Sequence, residues 1–206
     1  MIDLQALGDR AVLARFATEE DAARWAIAVR ARGWPGVVDV APAYRSVAVF
    51  ADPDRVELEE LEARLRSVAI EAADRGAGAR IMIPVRYDGE DLPEVAARLG
   101  LTPDEVVAAH SGRDYQVYAI GFLPGFPYAG YLPESLRGLP RRDVPRVRVP
   151  AGAVAIVGRQ TAVYPEESPG GWHLIGRTPL RIVDLERGHF PIRAGDTLRF
   201  MPIDAR

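Results

Sequence analysis

Between Gly121 and Thr178 the chain concentrates Gly, Pro, aromatic and Arg residues at a density found nowhere else in it. The stretch opens with Gly121-Phe122-Leu123-Pro124-Gly125-Phe126-Pro127-Tyr128. It passes through Pro140-Arg141-Arg142-Asp143-Val144-Pro145-Arg146-Val147-Arg148-Val149-Pro150. It closes with Gly158-Arg159-Gln160-Thr161 and Tyr164-Pro165-Glu166-Glu167-Ser168-Pro169-Gly170-Gly171-Trp172-His173. Gly reaches backbone angles closed to other residues, and Pro fixes its own. No long helix fits such a sequence, whereas short strands joined by shaped loops do. Loops held on a rigid scaffold are also where function concentrates.

The pattern around this stretch has a period of two from Asp114 onward. Tyr115 to Ile120 reads as a strand, and Ala153 to Val157 as a wholly apolar one. Val144 to Pro150 would place Arg146 and Arg148 on one face and Val147 and Val149 on the other. Further strands are expected at Trp172–Ile175, Leu180–Asp184 and, after a Gly195-Asp196 turn, Thr197–Met201. Many short strands punctuated by Gly and Pro point to a sandwich or a closed barrel.

The first 84 residues read differently, as a small α+β unit. Arg10 to Phe16 is a strand, and Thr18 can cap a helix to about Arg32 whose Ala22, Trp25, Ala26 and Val29 share one face. Val37–Ala41 and Tyr44–Phe50 read as strands across a Pro42 turn. Asp52-Pro53 opens a second helix lined by Leu58, Leu61, Leu65, Val68 and Ala72, broken by Gly76-Ala77-Gly78. Ile81, Ile83 and Val85 alternate as in a half-buried strand. The order strand, helix, two strands, helix, strand matches a split βαβ plan. A boundary is expected within Pro84 to Gly89, dividing the chain into residues 1–84 and 85–206.

Two short helices follow that boundary. Asp91 would cap the first, which ends at Gly100. Thr102-Pro103-Asp104-Glu105 is a capping box with Pro at the first helical position. The pair is not a DNA-reading helix-turn-helix: the exposed face carries Asp104 and Glu105 and no Arg, and a strand begins just beyond Ser111-Gly112.

Composition excludes several chemistries. Among 206 residues there is no Cys, so disulfides, thiolate nucleophiles and Cys-ligated zinc are ruled out. There is no Lys either, since all 26 basic residues are Arg. A Schiff base, a phosphate-loop lysine and a biotinyl-lysine on this chain are therefore excluded. A net charge of −3 gives no bulk attraction to nucleic acid or anionic membrane. No apolar run approaches the roughly 20 residues needed to span a bilayer, and the N-terminus lacks the features of a signal peptide. A cytoplasmic protein is expected.

The motif string G-F-x-P-G-F-x-Y, P-R-x-x-V-P, R-V-P-A-G-x-V-A-I-x-G, Q-T and Y-P-x-x-S-P-G-G-W-x-L-I-G-R-T-P, beginning at Gly121, resembles the allophanate hydrolase subunit 1 family. That family includes the B component of bacterial ATP-dependent 5-oxoprolinase, the KipI-type inhibitors of a sporulation histidine kinase, and a module in the carboxyltransferase region of urea carboxylase. The resemblance spans nearly the whole chain. It implies a small α+β N-terminal domain and a cyclophilin-like β-barrel C-terminal domain. It also implies two separate partners, a subunit-2-type protein and a lactam-utilisation-type protein. The activity implied first is ATP-dependent opening of 5-oxoproline to glutamate, with ATP handled chiefly by another chain of the complex, since no phosphate loop is present here. Inhibition of a histidine kinase, through an aromatic patch of Phe122, Phe126, Tyr128 and Tyr131, and carboxyl transfer to urea are the alternatives.

Candidate site residues follow from these motifs. His110 lies at a helix end. It suits either a helix-dipole role or that of a general base, and the family pattern has His there. Arg142, Arg146 and Arg148 can grip a carboxylate or phosphate by bidentate contacts, or pair with Asp143 or Glu166 on a solvated face. Arg146 is expected, with His110, in a catalytic role. Ser168 is not a nucleophile-elbow serine, because Pro169 after it has no N–H for an oxyanion hole. It is instead a hydrogen-bonding residue. Gln160 and Tyr164 suit recognition of an amide ring, while Gly170 and Gly171 permit close approach. The loops at Pro124-Gly125-Phe126, Arg142–Arg148 and Ser168–Gly171 are expected to meet at one mouth of a barrel, with His110 and Gln160 nearby. His173 and His189 show no metal-ligand spacing with His110.

Overall fold

The computed structural model describes residues 2–70 and 78–204 and divides the chain into two units, Met1–Ala77 and Gly78–Arg206. In the first unit Thr18 caps its helix as expected, its hydroxyl accepting from the Asp21 N–H at 3.1 Å. The unit runs β1 (Asp3–Ala6), β2 (Ala11–Arg15), α1 (Glu19–Ala31), β3 (Val37–Ala43), β4 (Ser46–Ala51) and α2 (Leu58–Arg66). Ala22, Trp25, Ala26 and Val29 of α1 are buried against Val12, Val47 and Val49 of the sheet and Leu61 and Leu65 of α2. Fully burying a side chain of this kind contributes about 1.5–3 kcal/mol.

The sheet order is β1-β2-β4-β3, so β2 and β3 flank β4, and both run antiparallel to it. Three expectations are corrected here. Pro42 lies inside β3 opposite Val47, and the reversal falls at Tyr44, whose φ is 55°. An edge strand tolerates Pro because its missing N–H can face away from the ladder. The helix opens at Leu58, not at Asp52-Pro53, and ends at Arg66; the expected Ala72 and Gly76-Ala77 lie outside the described residues. The fourth place in the sheet belongs to β1. The strand expected there, β5 (Arg80–Val85), belongs instead to the second unit, so the division falls before β5 and not after it.

The second unit continues with α3 (Leu92–Leu99), α4 (Pro103–Ser111), β6 (Asp114–Ile120), β7 (Pro127–Gly130), β8 (Arg146–Val149), β9 (Ala153–Val157), β10 (Gln160–Val163), β11 (Ser168–Gly170), β12 (His173–Arg177) and β13 (Thr197–Pro202). Both halves of the expected Thr102–Glu105 capping box are formed at the start of α4. Seven strands form one sheet in the order β12-β9-β10-β7-β6-β13-β5, antiparallel except for β13 against β5. The sheet curls back on itself. Just past β5, Arg86 exchanges both backbone hydrogen bonds with Arg177 of β12, at 2.9 and 2.8 Å, and the Asp91 N–H reaches Leu174 O at 3.0 Å. The result is a nearly closed barrel in a mixed α/β chain.

Leu180–Asp184, expected as a strand, forms only an isolated bridge, between Asp184 and His189. Ile182 and Val183 are buried in irregular chain instead.

Alternation along β9 sends its side chains into two cores. Val154 and Ile156 join Ile83, Val117, Val163, Ile175 and Phe200 inside the barrel. Ala153, Ala155 and Val157 join Phe126, Val149, Ala162, Tyr164, Trp172 and Leu174 on the outer face. A strand buried on both faces must be apolar throughout, which is the pattern of Ala153–Val157. Among the described residues no helix is long and apolar enough to cross a membrane.

Candidate functional site

The outer face of β9, β10 and β12 is covered by the two-stranded arm of β8 and β11 and by the Phe122–Tyr128 segment. In the arm, Gly170 pairs with Arg146 and Ser168 with Val149, leaving three steps on β8 against two on β11. The extra residue is a β-bulge. It turns Arg146 and Val149 inward together and leaves Val147 and Arg148 exposed, so the strict alternation expected for β8 is broken. Val147 is 82% exposed while Val149 is buried, so the two valines do not share a face as expected.

The bulge separates the arginines. Arg148, its side chain 75% exposed, pairs with Glu167 at 2.7 Å. Arg146 and Arg142 converge on Asp91 instead. Asp91 Oδ1 accepts from Arg146 Nη2 at 2.6 Å and from Arg142 Nη1 at 2.8 Å, while Oδ2 accepts from the Leu174 N–H at 2.7 Å. Arg146 Nε also donates to Glu90 at 2.6 Å, and Arg142 Nη1 approaches Glu94 at 3.4 Å. These partners replace Asp143 and Glu166, which the sequence suggested. Burial works against the charge on Arg146, yet its hydrogen bonds to Asp91 and Glu90 outweigh that and raise its pKa.

The sequence marks Asp91 only as a helix cap. It stands at the N-cap of α3, but its side chain makes no capping bond and is spent on the arginines. Its partners lie 51, 55 and 83 residues away, so nothing local in the sequence marks the role.

The remaining motif residues pack around this cluster. The Arg142 N–H donates to Gly171 O at 2.8 Å, tying the two loops together. Tyr164 is buried, its ring edge-on to Phe126 at 5.2 Å, and Phe126 is edge-on to Trp172 at 5.6 Å. Desolvation raises the pKa of Tyr164 against the opposing effects of the Trp172 N–H, Arg141 and Arg146, so its hydroxyl keeps its proton. At Gly125 (φ 76°) and Gly170 a side chain would collide with Val183 and with the Tyr164 hydroxyl respectively. The protein itself fills the space that these glycines free. Gly171 is different: a Cβ there would meet nothing nearer than 3.7 Å. Pro124 is exposed at the tip of the loop. Of the four aromatics expected in a surface patch, Phe122 is 61% exposed, Tyr128 and Tyr131 are half-buried, and Phe126 is buried.

His110 is elsewhere. It lies fully buried among Tyr115 and Phe200, with ring centroids 5.3 and 4.5 Å away. Nδ1 meets the Tyr87 hydroxyl and Nε2 meets Thr161 Oγ1, both at 2.8 Å, and Thr161 donates onward to Ala155 O at 3.1 Å. Since the Thr161 proton is committed to that carbonyl, Nε2 carries the imidazole hydrogen and Nδ1 accepts from Tyr87. Desolvation lowers the His110 pKa to about 3, so the ring is neutral. Both nitrogens are engaged inside the barrel, whereas the arginines sit on its outside. Gln160 starts β10, four residues and about 13 Å along the strand from Tyr164. The three loops do meet, but over the outer face of the sheet and not at a barrel mouth, and His110 and Gln160 are not with them.

This architecture has relatives. The carboxyltransferase domain, subdomain C and D, matches residues 2–191. The B component of 5-oxoprolinase from Escherichia coli O157:H7 is 43% identical over 86% of this chain and 84% of its own length. Its counterpart of the same name from Bacillus subtilis is 36% identical over 98% and 93%. Among solved structures, TTHA0988 superposes with a TM-score of 0.85 at 43% identity over 96% of this chain, which spans 41% of the TTHA0988 chain. Kluyveromyces lactis urea amidolyase shares the fold at 17% identity, with a TM-score of 0.70 over 98% of this chain and 15% of that one. With the family match running through both units and bacterial relatives matched over most of their length, the chain belongs to the carboxyltransferase-domain family, subdomains C and D.

Proposed function

We propose that this chain is the B component of an ATP-dependent 5-oxoprolinase, which opens 5-oxo-L-proline to L-glutamate. The observation that carries this reading is the likeness to bacterial 5-oxoprolinase B components over most of both lengths. A lactam resists hydrolysis, and ATP supplies the activation by phosphorylating the lactam oxygen. Two waters are consumed as glutamate, ADP and phosphate form.

The residues beneath the arm do not fit a triphosphate. The unpartnered donors there are few, and Arg142 and Arg146 are already paired with Asp91, Glu90 and Glu94. ATP is therefore assigned to the partner proteins, of the lactam-utilisation and subunit-2 types, and this chain contributes one wall of the substrate site. Its part is to bind and orient the substrate through Arg146, with Tyr164 and Ser168 beside it. It has no turnover alone. Val144 and Val147, 79% and 82% exposed beside those residues, suit cover by a partner.

The test is ATP-dependent glutamate release by the two partner proteins with and without this chain. Release that requires all three supports the reading. Release that is the same without this chain, or robust turnover by this chain alone, contradicts it.

A further inference from the structure

We propose that the inner face of the β8–β11 arm holds one small monocarboxylate, gripped by Arg146 Nη1 and the hydroxyls of Ser168 and Tyr164, with Asp91 as the positioning residue. Two of these three groups are buried without partners. Arg146 spends Nε on Glu90 and Nη2 on Asp91, leaving Nη1 shielded from solvent and unbonded. Ser168 is 7% exposed and its Oγ has no partner. Desolvation keeps the Tyr164 hydroxyl protonated, so it can donate.

Register places them together. Arg146 and Gly170 are directly paired, and side chains of a cross-strand pair share a face. The Tyr164 hydroxyl lies where a Gly170 side chain would be, and Ser168 is two residues away on the same side of β11.

Buried polar groups are almost always bonded, so convergent orphan groups on one face call for an occupant. Each of these three can donate, and one guanidinium nitrogen with two hydroxyls can serve the two oxygens of a carboxylate. Charge selects a monoanion. The charged side chains of the cluster less than a third exposed are Arg142 (30%), Arg146 (17%) and Asp91 (5%), a balance of +1, while Glu90 (63%) and Glu94 (50%) pair with the arginines from the solvent side, where water screens their charge. One carboxylate brings that balance to zero, whereas a phosphate dianion overshoots it. Asp91 fixes the Nη2 edge and thereby aims Nη1. The natural ligand follows from the 5-oxoprolinase reading, on which only its identity rests: the carboxylate of 5-oxoproline.

The experiment is a calorimetric titration of the chain, alone and in the reconstituted complex, with cyclopentanecarboxylate, 5-oxo-L-proline, 2-pyrrolidinone and inorganic phosphate. The two carboxylates are expected to saturate one site, and pyrrolidinone and phosphate are not. Arg146→Gln should weaken carboxylate binding about tenfold or more, and Ser168→Ala, which leaves every ion pair intact, roughly fivefold. Asp91→Asn leaves +2 in the cluster, so it should admit phosphate while weakening the carboxylates, a change of selectivity that lost packing alone does not produce. Saturation by cyclopentanecarboxylate but not 5-oxoproline supports the site and removes the 5-oxoprolinase reading. Glutamate release by a complex in which neither carboxylate responds to Arg146→Gln or Ser168→Ala keeps that reading and overturns the site. Binding of phosphate alone to the unmodified protein also overturns it.

Discussion

The inner and outer faces of β10 carry their polar groups in opposite states. Inside the barrel, Tyr87, His110, Thr161 and Ala155 O form a neutral hydrogen-bond chain that uses both nitrogens of the imidazole. Outside, beneath the arm, the groups near Tyr164 are charged, the arginines are held on a buried carboxylate, and Arg146 Nη1 and Ser168 Oγ are left unbonded. A polar group whose hydrogen-bond capacity is met inside the protein serves the fold. One held rigidly with capacity to spare is available to a guest. His110, which the sequence offers as a general base or a helix-dipole residue, has both ring nitrogens engaged in the interior, and an aspartate that looks like a helix cap joins the arginines of the candidate site.

The largest effect that separates the faces is expected from Asp91→Ala. It leaves two partly buried guanidiniums without their shared partner, and breaking a buried pair costs on the order of 3 kcal/mol. Chemical denaturation measures this. A loss under about 1 kcal/mol would make the outer cluster an ordinary surface network.

The inner face answers to pH. The folded pKa of His110 is about 3, below the ordinary value of 6.5, so the unfolded chain takes up the proton first as pH falls. Stability is therefore whole above pH 6.5 and is lost at about 1.4 kcal/mol per pH unit below it, until the folded pKa is reached. Relative to His110→Gln, the unmodified protein should lose about 2.5 kcal/mol between pH 6.5 and 4.5. Parallel stability curves for the two proteins would contradict a buried neutral histidine.

Two glycines sharpen the comparison on the outer face. Gly125→Ala should cost about 2 kcal/mol, since the new methyl collides with Val183 at a positive φ. Gly171→Ala meets ordinary contacts and should shift stability by no more than about 0.5 kcal/mol. Equal effects at the two positions would show that the loop rearranges freely. The smallest effect is expected from Arg148→Gln. Its pair with Glu167 is solvated, and exposed pairs contribute roughly 0–1 kcal/mol.

Much of this is legible in the sequence because it is local. The Thr18 cap, the Thr102–Glu105 box and the apolar run Ala153–Val157 are set within a few residues of themselves. Meeting of the arm loops is foreseeable from their shared Gly, Pro and Arg content. What escapes depends on distant partners. β5 alternates like any half-buried strand, and only pairing with β13, over a hundred residues later, assigns it to the barrel. A one-residue bulge in β8, set by its register with β11, parts Arg146 from Arg148 and exposes Val147. His110 reads only as a helix-end residue until Thr161 and Phe200 are seen to enclose it.

The most direct test of the contrast between the faces is glutamate release by the reconstituted complex carrying Arg146→Gln or His110→Gln, assayed at pH 7.5 below the melting temperature of each variant. Loss of a charged substrate contact costs about 1.5–3 kcal/mol, so Arg146→Gln should lower the rate at limiting substrate by roughly tenfold or more, while His110→Gln stays within about threefold of the unmodified complex. Full activity for Arg146→Gln together with collapse for a folded His110→Gln would place the chemistry inside the barrel and contradict the account.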